Sequence, residues 1–82
     1  MNLVYIQGKI ISKIQFEFIY KNKNISIAEF VIQMQNKTIT YVRAYNENAD
    51  YAYRKLAKED IVCIEGNVTN EGIIANEIYC FL

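Results

Sequence analysis

Tyrosine and arginine side chains alternate near the middle of the chain. Tyr41, Arg43 and Tyr45 occur within residues 38–45, a run rich in β-branched and aromatic residues that predicts a strand. Because alternate residues of a strand share one face, the three side chains are expected to lie together. Aromatic rings stack on unpaired bases and arginine pairs with phosphate, so the pattern suits single-stranded nucleic acid. A solvated strand face or a contact between subunits would use the same residue types.

The composition argues against catalysis and metal binding. The chain has no histidine and two cysteines, Cys63 and Cys80, which are too few for a four-ligand zinc site. It also has no glycine-rich phosphate loop and no nucleophile elbow. We therefore expect no enzyme activity, no metal and no cofactor. The cysteines are expected to fill apolar space, unless neighbouring strands bring them within disulfide reach.

The charges are balanced in number but not in distribution. Nine basic and nine acidic side chains give a formal net charge of zero. Residues 1–45 hold six basic and two acidic side chains, whereas residues 46–82 hold three basic and seven acidic ones. Such a chain can present a basic face to a polyanion, or its charges can be scattered by chance.

Length and composition predict one small domain over residues 1–82. The chain has 82 residues, of which 52% are apolar and 22% are charged, as is typical of globular proteins. Its apolar runs are too short to span a bilayer, and no basic-then-apolar leader opens the sequence. These features predict a soluble cytoplasmic protein.

Period-two alternation predicts five strands, and a change of period predicts one short helix. The predicted strands cover residues 3–20, 25–35, 38–45, 61–68 and 73–81. The first of them is expected to bend at Gly8, a turn is predicted at 21–24, and a tight hairpin is predicted at Asn36 and Lys37. The helix follows the third strand, with Asn46 or Asn48 as its cap. Its apolar stripe consists of Ala49, Ala52, Tyr53 and Leu56.

This order of elements is the plan of the OB-fold, an all-β, five-stranded Greek-key barrel with a helix between the third and fourth strands. The inward faces of the second and third strands are predicted to carry Ala28, Phe30, Ile32, Met34, Thr40, Val42 and Ala44. An open meander with a helix across one face is the alternative arrangement of the same elements.

With the strands placed, the chain resembles the DNA-binding domain of bacterial single-stranded DNA-binding proteins. The stretches that carry the resemblance are residues 3–10, 27–30, 42–45, 56–60, 62–68 and 74–82, which match the family's pattern in the same order. The most specific of them is Ile-Glu-Gly-Asn-Val at 64–68, placed just after a helix.

The chain also departs from that family's pattern. It has no tryptophan, whereas the family commonly stacks bases on several, and the connections after the second strand and between the last two strands are short. The sequence ends with the last predicted strand, without the family's acidic, phenylalanine-ending tail. The resemblance therefore predicts a tailless and shortened member, similar in that respect to the tailless primosomal OB protein of bacteria.

The resemblance places Tyr45 where the family carries a base-stacking Trp or Phe. The full set of side chains expected to contact nucleic acid is Tyr45, Arg43, Tyr41, Ile39, Gln33, Gln35, Lys37, Lys9, Lys13 and Tyr20. The rings would stack on bases, the glutamines would bond base edges, and the lysines would rim the groove.

Two classes of function follow from the sequence. The first is sequence-tolerant binding of single-stranded DNA, or of RNA, in replication, recombination or the maintenance of a plasmid or phage. The second is a protein-interaction or oligomerisation module in which the aromatic face meets another protein. The high apolar content predicts a homo-oligomer, either a dimer or a tetramer.

Overall fold

The computed structural model describes residues 2–20 and 24–81. Its elements, in chain order, are β1 (Leu3–Ile10), β2 (Gln15–Ile19), β3 (Ile25–Gln33), β4 (Ile39–Tyr45), α1 (Glu47–Lys55), β5 (Ile61–Thr69) and β6 (Gly72–Phe81). The ends of the predicted strands agree with these bounds to within two residues, apart from the break in the first one. Residues 21–23 of the predicted turn lie outside the described residues.

Five of the strands close into a barrel. The hydrogen-bonded order is β1-β5-β6-β4-β3-β2, and a further pairing of β1 with β3 joins the two sides. β4 and β6 run parallel, while the other pairs are antiparallel. The predicted OB-fold is therefore confirmed, and the open meander is excluded because β1 pairs with both β5 and β3.

Gly8 allows β1 to pair with strands on both sides of the barrel. β1 pairs with β5 from Leu3 to Lys9 and with β3 at Lys9 and Ile10. A Cβ atom on Gly8 would lie 2.7 Å from the carbonyl oxygen of Gln33, so a side chain here would push β3 away. The backbones of β1 and β3 thus approach each other closely at this glycine.

The predicted first strand is divided into β1 and β2, with residues 11–14 between them. The Ile11 N–H donates to the carbonyl of Val31 at 2.9 Å, but the Val31 N–H donates to the hydroxyl of Ser12 at 2.9 Å. The serine side chain thus replaces one backbone acceptor and satisfies the donor where the ladder is interrupted. Because the predicted first strand is two strands in the structure, α1 follows the fourth strand instead of the third.

The core fills the inside of the barrel and the space below α1. Its buried apolar residues are Ile10, Ala28, Phe30, Ile32, Val42, Ala44, Ala49, Ala52, Leu56, Val62, Ile64, Ile73, Ala75 and Ile78. The inward faces predicted for the second and third strands are thus confirmed at Ala28, Phe30, Ile32, Val42 and Ala44, while Met34 and Thr40 are half-buried.

The helix places its alanines against the barrel, but Tyr53 does not join them. Tyr53 is 61% exposed, and its ring stacks on Phe16 with centroids 4.4 Å apart. Of the predicted apolar stripe, Ala49, Ala52 and Leu56 enter the core, whereas the ring of Tyr53 covers Phe16 of β2 instead. Within the described part of the chain, no helix has the length and hydrophobicity needed to cross a bilayer.

The start of α1 is fixed by the backbone. Asn46 occupies the cap position with φ of 53° but makes no side-chain cap bond, and its N–H donates to the Ser26 carbonyl at 2.9 Å. The Asn48 amide donates to the carbonyls of Ala75 and Asn76 at 3.4 and 3.0 Å. Neither asparagine therefore caps through its side chain; instead they tie the helix to β3 and β6.

The two cysteines lie on neighbouring strands but on opposite faces. Cys63 of β5 opposes Tyr79, and Cys80 of β6 opposes Val62, so the two thiols alternate across the sheet. Both are free. Disulfide formation within one subunit is excluded by this register, because the side chains point to different sides.

Candidate nucleic-acid interface

A groove of about 600 Å³ runs across the outer face of β3 and β4. Its floor is formed by side chains of these two strands, and its walls come from the β1–β2 connection and from the β5–β6 hairpin. The lining residues are Ser12, Lys13, Gln15, Glu29, Phe30, Val31, Tyr41, Val42, Arg43, Tyr45, Thr69, Glu71, Ile73 and Ile74. Such a half-open groove is shaped for an extended ligand.

Cross-strand pairs organise the groove floor. In the register of β3 and β4, Tyr41 opposes Val31, Arg43 opposes Glu29 and Tyr45 opposes Ile27. Tyr41 is 64% exposed and Tyr45 is half-buried, so both rings present surface to the groove. The predicted grouping of Tyr41, Arg43 and Tyr45 on one outward face is therefore observed.

Arg43 is held in place by its neighbours. Its Nη2 and Nε donate to Oε2 of Glu29 at 2.8 and 3.1 Å, and its Nη1 donates to the Tyr45 hydroxyl at 3.4 Å. Hydrogen bonds with Tyr45 and Glu29, aided by the negative charge of Glu29, hold the pKa of the guanidinium above its usual range. Both partners of the ion pair are nearly half exposed, so the pair orients Arg43 more than it stabilises the fold.

The groove is close to neutral. Its lining includes the cations Lys13 and Arg43 and the carboxylates Glu29 and Glu71. The basic surplus of residues 1–45 is therefore not concentrated at the groove. Among the described residues, no group of three or more histidine, cysteine, aspartate or glutamate side chains is placed to hold a metal ion.

Several predicted contact residues lie beyond one end of the groove. Gln33 opposes Ile39 on the same outward face, and Lys9 of β1 opposes Gln33. The Lys9 ammonium lies 3.7 Å from a carboxylate oxygen of Glu59. Gln35 and Lys37 belong to the exposed β3–β4 turn. These residues extend the outer face but are separate from the groove lining.

Tyr20 is also separate from the groove. It follows β2 and its ring meets Phe18 edge-on, with centroids 4.5 Å apart and planes at 85°. By alternation, Phe16, Phe18 and Tyr20 share one face of this segment, whereas Gln15, which lines the groove, lies on the opposite face. Tyr20 therefore belongs to a different surface of the β2–β3 hairpin.

Sequence reasoning missed the carboxylate in the groove floor and most of the groove walls. Glu29 was placed on the outward face of its strand but was given no role, although it lies directly opposite Arg43. The walls, from Ser12 to Gln15 and from Thr69 to Ile74, are formed by two connections and the strand ends beside them, which lie far apart in the chain.

The comparisons with known proteins bear on the fold. No family model and no curated protein matches the sequence. The wild-type single-stranded DNA binding protein from Thermus aquaticus has a TM-score of 0.89 and 16% identity over 100% of this chain and 41% of that one. The SSB domain of a Synechococcus protein has a TM-score of 0.83 and 17% identity over 96% of this chain and 94% of that one.

A third solved structure, the second single-stranded DNA binding protein (SSBb) from Mycobacterium smegmatis, has a TM-score of 0.82 and 15% identity over 96% of this chain and 87% of that one. The chain thus spans about two fifths of the length of the Thermus protein. The fold implied by the sequence resemblance is confirmed, and this chain has the OB-fold seen in bacterial single-stranded DNA-binding proteins.

Proposed function

We propose that this protein binds single-stranded DNA with broad sequence tolerance, using the groove on β3 and β4. The observation that carries the proposal is the placement of Tyr41, Arg43 and Tyr45 side by side on the floor of an open groove. Rings beneath bases and cations beside phosphates are the two elements of sequence-tolerant single-strand binding. The solved structures of the same fold are named as single-stranded DNA binding proteins, which supports the same ligand.

Four of the groove residues have a role in this proposal. Tyr41, the more exposed ring, takes the first base, and Tyr45 takes a second one beside it. Lys13 on the wall pairs with a phosphate, and Arg43 contributes a partly compensated charge from the floor. Replication, recombination and the maintenance of a plasmid or phage are the processes in which such binding would act.

Binding is expected to be of micromolar strength per subunit and only weakly dependent on salt. Each stacked base contributes ~1–3 kcal/mol, and each neutralised phosphate contributes a slope of roughly −0.7 in a plot of log affinity against log salt. With Lys13 and Arg43 as the groove cations, the expected slope is about −1.4 for two contacts.

Titration of a labelled oligo-dT into the protein, followed by anisotropy, tests this expectation. Quenching of tyrosine fluorescence gives a second readout, because the chain has seven tyrosines and no tryptophan. An absence of saturable binding at low salt would contradict the proposed function. A slope of −3 or steeper would instead place the main contacts on lysines outside the groove. A parallel titration with oligo-U compares RNA with DNA.

A second apolar surface supports self-association. On the outer side of β1, β5 and β6, the exposed apolar side chains are Leu3, Tyr5, Tyr79 and Phe81, and Cys63 lies among them. Exposed apolar groups of this number on one face of a small chain favour burial against another copy. We therefore propose a homo-oligomer formed through this face, with the groove on β3 and β4 left open.

A charge in the centre of that face is expected to separate the subunits. Tyr79→Glu would add a third carboxylate close to Glu65 and Glu77, which already oppose each other across β5 and β6. Sedimentation velocity should show the wild type as an oligomer and this variant as a monomer. Tyr53→Glu, on the exposed side of α1, provides the matched control. A wild type that sediments as a monomer at high micromolar concentration would contradict the proposal.

A further inference from the structure

Glu29 is an unusual residue for the floor of a groove that binds a polyanion. Both donors from Arg43 end on the same carboxylate oxygen, Oε2. The other oxygen, Oε1, accepts no hydrogen bond from any residue that the structure describes, and Glu29 lines the groove. The floor therefore offers a strong acceptor beside the donors of Arg43.

We propose that Glu29 makes the groove select bases that carry an exocyclic amino group, namely cytosine, adenine and guanine, over thymine and uracil. The inference rests on the proposed function, since it assigns a preference to the same groove. Binding remains tolerant of sequence elsewhere along the strand, because stacking on Tyr41 and Tyr45 does not distinguish bases.

Hydrogen-bonding chemistry gives the direction of this preference. Carboxylates accept hydrogen bonds from the cytosine N4 amino group, and an ionised carboxylate has no donor of its own. On cytosine, the N4 amino group would donate to Glu29 while the adjacent N3 accepts from Arg43 or from the Tyr45 hydroxyl. On uracil or thymine in the same position, the carbonyl oxygen at position 4 would face Glu29 and the N3–H would face the donors of Arg43, so acceptor would meet acceptor and donor would meet donor.

The neighbouring rings place a base edge at this position. Along β4, Arg43 lies between Tyr41 and Tyr45, and Glu29 lies opposite Arg43 on β3. A base stacked on either ring therefore has its edge next to the pair of charged side chains. Nη1 of Arg43 donates to the Tyr45 hydroxyl at 3.4 Å, so this hydroxyl lies beside the Arg43–Glu29 pair.

Oligomers of deoxycytidine and deoxyuridine of equal length test the proposal, since the two bases differ only at position 4 and in the protonation of N3. Titrations at pH 8 keep cytosine neutral. The wild type is expected to bind the cytidine oligomer about tenfold more tightly than the uridine oligomer, because recognition of one base through two hydrogen bonds has an effect of this size. In Glu29→Gln the ratio is expected to fall below about twofold, because an amide can turn either its donor or its acceptor to the base.

Glu47→Gln is the matched control. It removes one exposed carboxylate at the start of α1, a residue that lines neither the groove nor the small cavity beside Glu29, and is expected to keep the tenfold ratio. Glu29 is nearly half exposed, so its replacement is not expected to unfold the chain, and Glu29→Ala provides a second variant that removes the acceptor altogether.

The outcomes separate this inference from the proposed function. Equal affinity of the wild type for the two oligomers would overturn the base preference and leave single-strand binding in place. Absence of binding to both oligomers would overturn the proposed function as well. A ratio that survives in both Glu29 variants would show that another group selects the base, and would overturn the role of Glu29.

Discussion

Replacement of Gly66 by alanine is expected to lower the free energy of unfolding by about 3 kcal/mol, as overpacking of a closely packed site does. Gly66 lies in β5 at the register shift that follows Glu65, opposite Ala75 of β6. A Cβ atom here would lie 2.5 Å from the carbonyl oxygen of Ile74 and 2.5 Å from Cγ2 of Ile73. The carbonyl belongs to the paired strand, so relief of the clash requires movement of the β5–β6 ladder itself.

Urea unfolding followed by circular dichroism measures this loss as a lower midpoint at an unchanged slope. Asn70→Ala, at an exposed position of the turn that follows β5, is the control and is expected to change stability by less than ~1 kcal/mol. An unchanged midpoint for Gly66→Ala would show that the two strands separate at the register shift at little cost.

The faces of the strands could be predicted from alternation alone. Phe30, Ile32 and Val42 were assigned to the inside and are buried, whereas Tyr41 was assigned to the outside and is exposed. A strand with one face in a barrel core has only one register that keeps its apolar residues inside, so the sequence pattern carries this information.

The register between two strands was predicted less well, and the β3–β4 hairpin shows why. A two-residue turn at Asn36 and Lys37 would pair Glu29 with Ala44, an outward residue with an inward one. The structure instead has a three-residue connection in which Met34 N donates to the carbonyl of Thr38 at 2.9 Å and Lys37 has φ of 70°. Only a connection with an odd number of residues keeps outward residues opposite each other, and this pairing puts Glu29 beside Arg43.

Apart from Lys13, which was expected at the rim, the walls of the groove could not be predicted from the sequence. Lys13 and Glu71 belong to connections near opposite ends of the chain, and closure of the barrel brings both to the groove. Periodicity reports which face a residue occupies within its own element but contains no distance between elements. For the same reason Tyr20, whose ring could stack on a base, was grouped with Tyr41 and Tyr45. In the structure its ring contacts Phe18 instead, away from the groove.

Replacement of both groove tyrosines, Tyr41→Ala with Tyr45→Ala, is expected to weaken oligonucleotide binding by at least about 30-fold. Each ring that stacks on a base contributes ~1–3 kcal/mol, so the loss of two rings removes most of the affinity of a micromolar site. Tyr41 is expected to contribute more through stacking, since it is the more exposed ring. The Tyr45 hydroxyl also accepts a hydrogen bond from Arg43, so loss of this residue further frees the guanidinium on the groove floor.

Anisotropy titration of the double variant and of each single variant measures these contributions separately. Tyr53→Ala removes an exposed ring of α1 that does not line the groove and is expected to leave binding unchanged. Thermal unfolding shows whether each variant keeps its fold, which separates loss of stacking from loss of structure. Affinity that persists in a folded double variant would mean that bases do not rest on β4, and the face on β1, β5 and β6, with its own exposed rings, would then be the surface to test for nucleic acid.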